Sequence, residues 1–308
     1  MKLNSAVILL LMLGMLSCGD EQEKISPTTG TSGIESELDL ILLFKSGFDE
    51  GTIAELEVTQ TRAKDITGKD MVSGYDWETD LEGNKRDFFM NYVDGTNGND
   101  PEMLGVLIDK DPDDPNNNVL YSWQNDSEWQ DGGYWSRVQA RMNNCDFSEV
   151  LCKFRIRFDE DIAVLNNTDW WTWFSIYSIN PLQDDDFSLS VRLNKEDKDV
   201  LKWGVYRKNK TEGPTHYRSE VPVNFDKWTQ VEFYTKAGDD DKGRLALYVD
   251  GQLLFDEIAA TSYPNDVWEN IRLLKVYGNI MDIITDPEYG NKPAVKVWFD
   301  DLEIWVNQ

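Results

Sequence analysis

The chain has 308 residues, 57 of them Asp or Glu against 30 Lys or Arg, giving a formal charge of −27 at neutral pH. A field of that sign repels nucleic acid and disfavours acidic polymers at low salt, a penalty that screening softens as ionic strength rises. A single histidine excludes a His-rich metal centre and a serine triad.

The first residues combine a positive start with an apolar core from Ala6 to Leu16, too short for a membrane span of ~20 residues. Met15-Leu16-Ser17-Cys18 resembles a lipobox. The resemblance implies that residues 1–17 are a signal peptide and that Cys18 is the lipidated mature N-terminus. Residues 18–37 are polar and aperiodic, a tether. Acidic residues directly behind Cys18 resemble the surface-export signal of lipoproteins in some Gram-negative groups. That implies a protein exposed on the outer membrane and held there by its lipid alone. Setting Cys18 aside leaves Cys145 and Cys152, an even pair in an exported chain, so a disulfide is expected, with two separate thiols as the alternative.

From Leu38 onward the chain reads as strands separated by Gly, Asn, Asp and Pro turns. Leu38 to Phe44 is the first. Then come Phe88–Val93, Met103–Ile108, Trp135–Met142, Leu151–Phe158, Trp171–Ile179, Phe187–Leu193, Leu201–Arg207 and His216–Val221. Thr229–Lys236, Arg244–Val249, Ile271–Tyr277 and Val295–Val306 complete the series. No linker interrupts residues 38–308, which predicts one all-β sandwich domain. The loop Asp109 to Asp114 has the acidity of a calcium loop without its central Gly and closing Glu, and reads as a solvated loop.

Between Lys227 and Glu257, Val231, Phe233 and Thr235 alternate with Glu232, Tyr234 and Lys236, and Asp250-Gly251 marks a tight hairpin. A Trp opening one strand, followed by Gly243-Arg244-Leu245 and Leu247-Tyr248-Val249-Asp250-Gly251, resembles the concanavalin A-like jelly rolls. The fold this implies is a jelly-roll β-sandwich of two antiparallel sheets, with the last strand beside the first. In rolls of this kind a structural calcium often lies there, and Asp49, Glu50 and Asp300 are its candidate ligands; no other cofactor is implied.

The segment Tyr134 to Tyr277 resembles polysaccharide lyases of the alginate-lyase and heparin-lyase type. The family's Arg-x-Glu-x-Arg strand is matched by Arg137, Gln139 and Arg141, and its Gln-x-His strand by Ser175 and Tyr177. Its Lys-x-Gly-x-Tyr strand is matched by Lys275 and Tyr277. Such enzymes neutralise a uronate carboxylate and move a proton with His or Tyr. The resemblance implies substrate contacts at Arg137, Gln139, Arg141, Ser175 and Lys275, with Trp171 and Trp173 as stacking residues at the groove. In an active lyase Tyr177, Tyr277 and Arg137 would be catalytic. Glu has become Gln139, the Gln-x-His pair is gone, and the last motif lacks its Gly. His216 lies away from the base position and reads as a loop or strand-edge residue, while Trp228, Trp298 and Trp305 read as core. The expectation is a surface lipoprotein whose jelly-roll groove binds polysaccharide without turnover. The alternatives are an active lyase and a laminin G-like protein-binding module.

Overall fold

A computed structural model describes residues 39–54, 66–82, 86–93, 104–124, 137–160, 162, 170–179, 186–197, 200–209, 213–263, 266–278 and 295–307. The signal, the lipobox and the tether lie outside these residues. The strands in chain order are β1 (Ile41–Ser46), β2 (Thr52–Ile53), β3 (Thr67–Gly68), β4 (Asp87–Val93), β5 (Leu104–Lys110) and β6 (Asn118–Gln124). Next are β7 (Arg137–Phe147), β8 (Glu149–Phe158), β9 (Trp170–Ile179), β10 (Asp186–Asp197), β11 (Val200–Asn209) and β12 (Gly213–Pro222). The last are β13 (Trp228–Lys236), β14 (Arg244–Val249), β15 (Gln252–Ile258), β16 (Trp268–Gly278) and β17 (Val295–Val306). A single π-helical turn, Trp77–Glu82, buries Trp77 and Leu81.

Two antiparallel sheets pack face to face, as a jelly roll requires. One is eight-stranded, ordered β15-β14-β13-β8-β17-β6-β5, with β1 also on β17; the other is seven-stranded, ordered β12-β11-β10-β9-β16-β7-β4. The final strand lies beside the first, Ile41 opposite Val306 and Ser46 opposite Leu302. Alternation explains the core. On β8, Val150, Cys152, Phe154, Ile156 and Phe158 point inward and meet Phe174, Ile176, Leu189, Val191 and Ile271 of the opposite sheet. The intervening residues of each strand form the two outer faces.

Three sequence expectations are corrected. Cys145 and Cys152 are free, buried thiols in the core rather than a disulfide. Burial pushes the Cys145 thiol up to about 12, so it is protonated and inert at neutral pH. Trp173 is fully buried against Phe158 (ring centroids 4.5 Å apart) and does not reach any groove. A register shift where β9 meets β10 puts both Trp173 and Phe174 in the core, which breaks the simple parity of the strand. Trp228, Trp298 and Trp305 are half-buried on the outer face of the eight-stranded sheet rather than in the core. There the cations of β8 cover them: Arg155 over Trp228 (5.0 Å), Arg157 over Trp298 (5.6 Å) and Lys153 over Trp305 (5.9 Å).

Candidate functional site

Residues directly opposite on neighbouring antiparallel strands share a face, so register alone assembles the outer face of the seven-stranded sheet. One row runs Arg141–Arg272–Ser175–Ser190–Tyr206–His216 across β7, β16, β9, β10, β11 and β12. Its five strand spacings make it about 24 Å long. A parallel row runs Asn143–Asn270–Tyr177–Ser188–Lys208. A third places Arg137, Tyr277, Thr172, Arg192, Gly204 and Arg218 in line. The side chains of Arg137, Trp171 and Tyr277 lie outside the described residues, so only their strand positions are known.

At the centre of this face is a continuous polar network. The Arg272 guanidinium lies 3.9 Å over the Tyr177 ring and donates to the Tyr177 hydroxyl at 3.1 Å. Arg272 Nε donates to Asn270 Oδ1 at 2.9 Å, and the Asn270 amide donates to Asn143 Oδ1. Arg141 Nε donates to the same Asn143 oxygen at 3.0 Å. The two arginines thus stand opposite each other across β7 and β16, each bonded to one of two linked asparagines. Two guanidiniums and a phenol hydroxyl, held in place and only half-buried, make a fitting receptor for a carboxylate or sulfate.

Beneath them lies a bulge. β16 slips register between Leu273 and Val276, with Leu274 in the left-handed region at φ 47°. Leu274 holds this conformation with its side chain buried in the core. The bulge turns Lys275 to the polar side, where it is 1 % exposed and donates to Ser175 Oγ at 3.1 Å; Ser175 in turn meets Ser190 at 3.0 Å. Gln139 is fully buried in the same layer. Arg141, Ser175, Tyr177, Gln139 and Lys275 are therefore brought together, with Lys275, Ser175 and Gln139 forming the floor.

Arg272 is among the residues of this face that the sequence alone does not single out. With Lys275 it is one of two charges inside the run Ile271–Val276, and that interruption of an apolar stretch is its signal in the sequence. His216, expected in a loop or at a strand edge, stands on the edge strand β12 in the same row as Ser175 and Arg272. The calcium candidates fare differently. Asp300 is engaged by Arg155 and by Asn117 (2.9 Å), and Glu50 is exposed. The carboxylate that organises the first turn is Asp70, which the sequence reading passed over. It accepts from Ser46 Oγ (2.7 Å) and from the backbone N–H groups of Gly47, Val72 and Ser73 (3.0, 3.0 and 2.9 Å). Among the described residues, no group of three or more His, Cys, Asp or Glu is placed to hold a metal.

No protein-family model and no curated protein matches the chain. Solved structures do resemble it. An endo-β-1,4-glucuronan lyase from the fungus Trichoderma reesei is 17% identical, with a TM-score of 0.48 over 71% of this chain and 95% of the other. The alginate lyase Aly36B, as a double mutant in complex with alginate trisaccharide, is 12% identical, with a TM-score of 0.49 over 82% of this chain and all (100%) of the other. The marine alginate lyase from Aplysia kurodai is 8% identical, with a TM-score of 0.46 over 82% of this chain and 100% of the other. At these identities the likeness is one of fold; the chemistry of the site rests on this chain's own residues.

Proposed function

We propose that the protein binds an anionic polysaccharide across the outer face of the seven-stranded sheet, and that it does so as a lipoprotein anchored through Cys18 at the outer surface of the cell. The observation that carries the reading is charge placement. In a chain of net charge −27, Arg141, Arg192, Lys208, Arg218, Arg272 and Lys275 share one sheet face. Among the described residues, the carboxylates Asp87 and Glu220 stand on its two edge strands. Serines and asparagines fill the space between, a pattern suited to sugar hydroxyls with a carboxylate at intervals. The field of the whole molecule works against a polyanion, so clustering cations here is explained by what they bind.

Binding without turnover is favoured because the histidine of the Gln-x-His pair is replaced by Tyr177, whose hydroxyl already accepts from Arg272. Calorimetry with glucuronan, alginate, heparin-type and neutral glucans tests the reading. Anionic chains should bind and neutral glucans should not, and Arg272→Met should weaken binding about tenfold or more, the scale of a lost charged hydrogen bond. Equal affinity for neutral glucans would overturn it. Ultraviolet absorbance on the same samples checks turnover: unsaturated uronate that disappears in Tyr177→Phe would make the protein a lyase. For the anchor, the Cys18→Ala chain should leave the membrane fraction; retention there would remove it.

A further inference from the structure

We infer that Tyr206 and His216 form a second sugar subsite, which takes a ring of the bound glycan through its hydroxyl groups at the far end of the row that begins at Arg141. The inference deepens the glycan reading and rests on it. The Arg141–Arg272 network holds the charged group of one sugar, and Tyr206 and His216 hold an uncharged part of the same chain further along.

Register sets the distance. Tyr206 on β11 lies opposite Ser190 on β10, Ser190 opposite Ser175 on β9, and Ser175 opposite Arg272 on β16. Three strand spacings, about 14 Å, therefore separate Tyr206 from Arg272, and His216 on β12 lies one spacing further. One sugar ring cannot bridge that gap, so a ligand that touches both ends is an oligosaccharide. Between the ends the row carries Ser175 and Ser190, whose hydroxyls are 3.0 Å apart. Taller side chains around them leave both serines buried. The row therefore dips between its ends, and its middle is lined by hydroxyls.

Tyr206 is held from two sides. The Arg192 guanidinium sits 3.6 Å from the centre of its ring, and His216 meets the ring edge to face with centroids 4.9 Å apart. Both contacts use the ring and leave the hydroxyl out. Among the described residues, neither the Tyr206 hydroxyl nor the His216 ring takes part in a hydrogen bond within the protein. The Tyr177 hydroxyl, by contrast, already accepts from Arg272. His216 takes an exposed position on β12. Partial burial, then Arg192 and Arg218, keep its pKa below the ordinary value, so at neutral pH the ring offers one N–H and one acceptor nitrogen. A phenol and a neutral imidazole each donate and accept. That matches a sugar hydroxyl, which does both, better than an oxyanion, which only accepts. A tyrosine already fixed by its neighbours also loses little freedom when a ligand arrives.

The test titrates a graded series of uronate oligosaccharides, from the disaccharide upward, into tag-free protein. His216 is the single histidine of the chain, so its ring protons are identified in the proton NMR spectrum without mutagenesis. They should shift with the long oligosaccharides and stay in place with the shortest one that binds. In calorimetry, Tyr206→Phe keeps the ring and removes the hydroxyl. It should weaken the long oligosaccharides about threefold to tenfold, the scale of one neutral hydrogen bond, and leave the shortest unchanged. Tyr206→Ala removes the ring as well and should lose more, with the same dependence on length. A long oligosaccharide that binds by calorimetry without moving the His216 signals overturns the subsite and leaves the glycan reading standing. Equal weakening of short and long chains in Tyr206→Phe overturns it too, because a residue at the end of the row cannot act on a ligand that stops short of it. Binding of no uronate oligosaccharide at any length overturns the glycan reading, and the subsite with it.

Discussion

Asp300 shows how a single buried side chain sets a pH response. It is 2 % exposed, and burial, reinforced by neighbouring Asp301, pushes its pKa up to about 6 despite the donors Arg155 and Asn117. The folded state holds this proton more tightly than the unfolded chain, whose carboxyl titrates near the ordinary 3.8. The stability tied to that proton is therefore complete below the unfolded value and is lost as pH rises through about 6. For two pK units the loss is roughly 3 kcal/mol. Asn at this position mimics the protonated acid and does not titrate. In urea unfolding at a series of pH values, Asp300→Asn should gain on the wild type steadily between about pH 4 and pH 6, then keep a constant margin. A margin that is flat over the whole range would mean that Asp300 titrates alike in both states. The same lesson of context applies to the tryptophans. Trp228, Trp298 and Trp305 occupy positions whose alternation reads as core, yet their indoles lie on the outer face under Arg155, Arg157 and Lys153. Residue type announced burial; parity against β8, visible only once strands pair, assigns the face.

At the scale of elements, the sequence carries strands well where one face is apolar and the other polar. β14 and β17 match their sequence-predicted limits, and β13 is off by one residue at its start. β6 was missed because Val119 and Leu120 are both buried, which erases the period-2 signal within a short run between polar loops. Bulges are the second source of error. The shift in β9 carries Trp173 into the core, and the shift in β16 does the reverse for Lys275, bringing it onto the polar side beside Ser175. Neither bulge has a glycine to announce it. The candidate site was legible as a set of alternating residues on two strands, Arg141 with Gln139 and Ser175 with Tyr177, because period-2 spacing needs no partner to be seen. Arg272 was not, because it joins the face only through a pairing between strands distant in sequence, where it lies opposite Ser175.

For the whole molecule, two opposed fields would govern the arrival of the anionic glycan proposed above. The net charge of −27 acts at long range, while the cations of the outer face act at contact. At ~0.01 M salt the Debye length is ~30 Å, so an approaching uronate chain meets the field of the entire molecule and is repelled. At ~0.15 M it shrinks to ~8 Å, about the reach of the face itself, and its own charges, Arg141, Arg272, Arg192 and Arg218 among them, dominate what the chain meets. The association rate should therefore rise with ionic strength between these limits, opposite to the usual behaviour of a basic site meeting an acidic ligand. The dissociation rate should rise as well, because the same screening weakens the contacts once formed. Stopped-flow or surface-based kinetics with an anionic oligosaccharide separates the two rates directly. An association rate that falls with salt would mean that the cationic face already dominates at a distance, and that the acidic remainder of the surface has no part in the encounter.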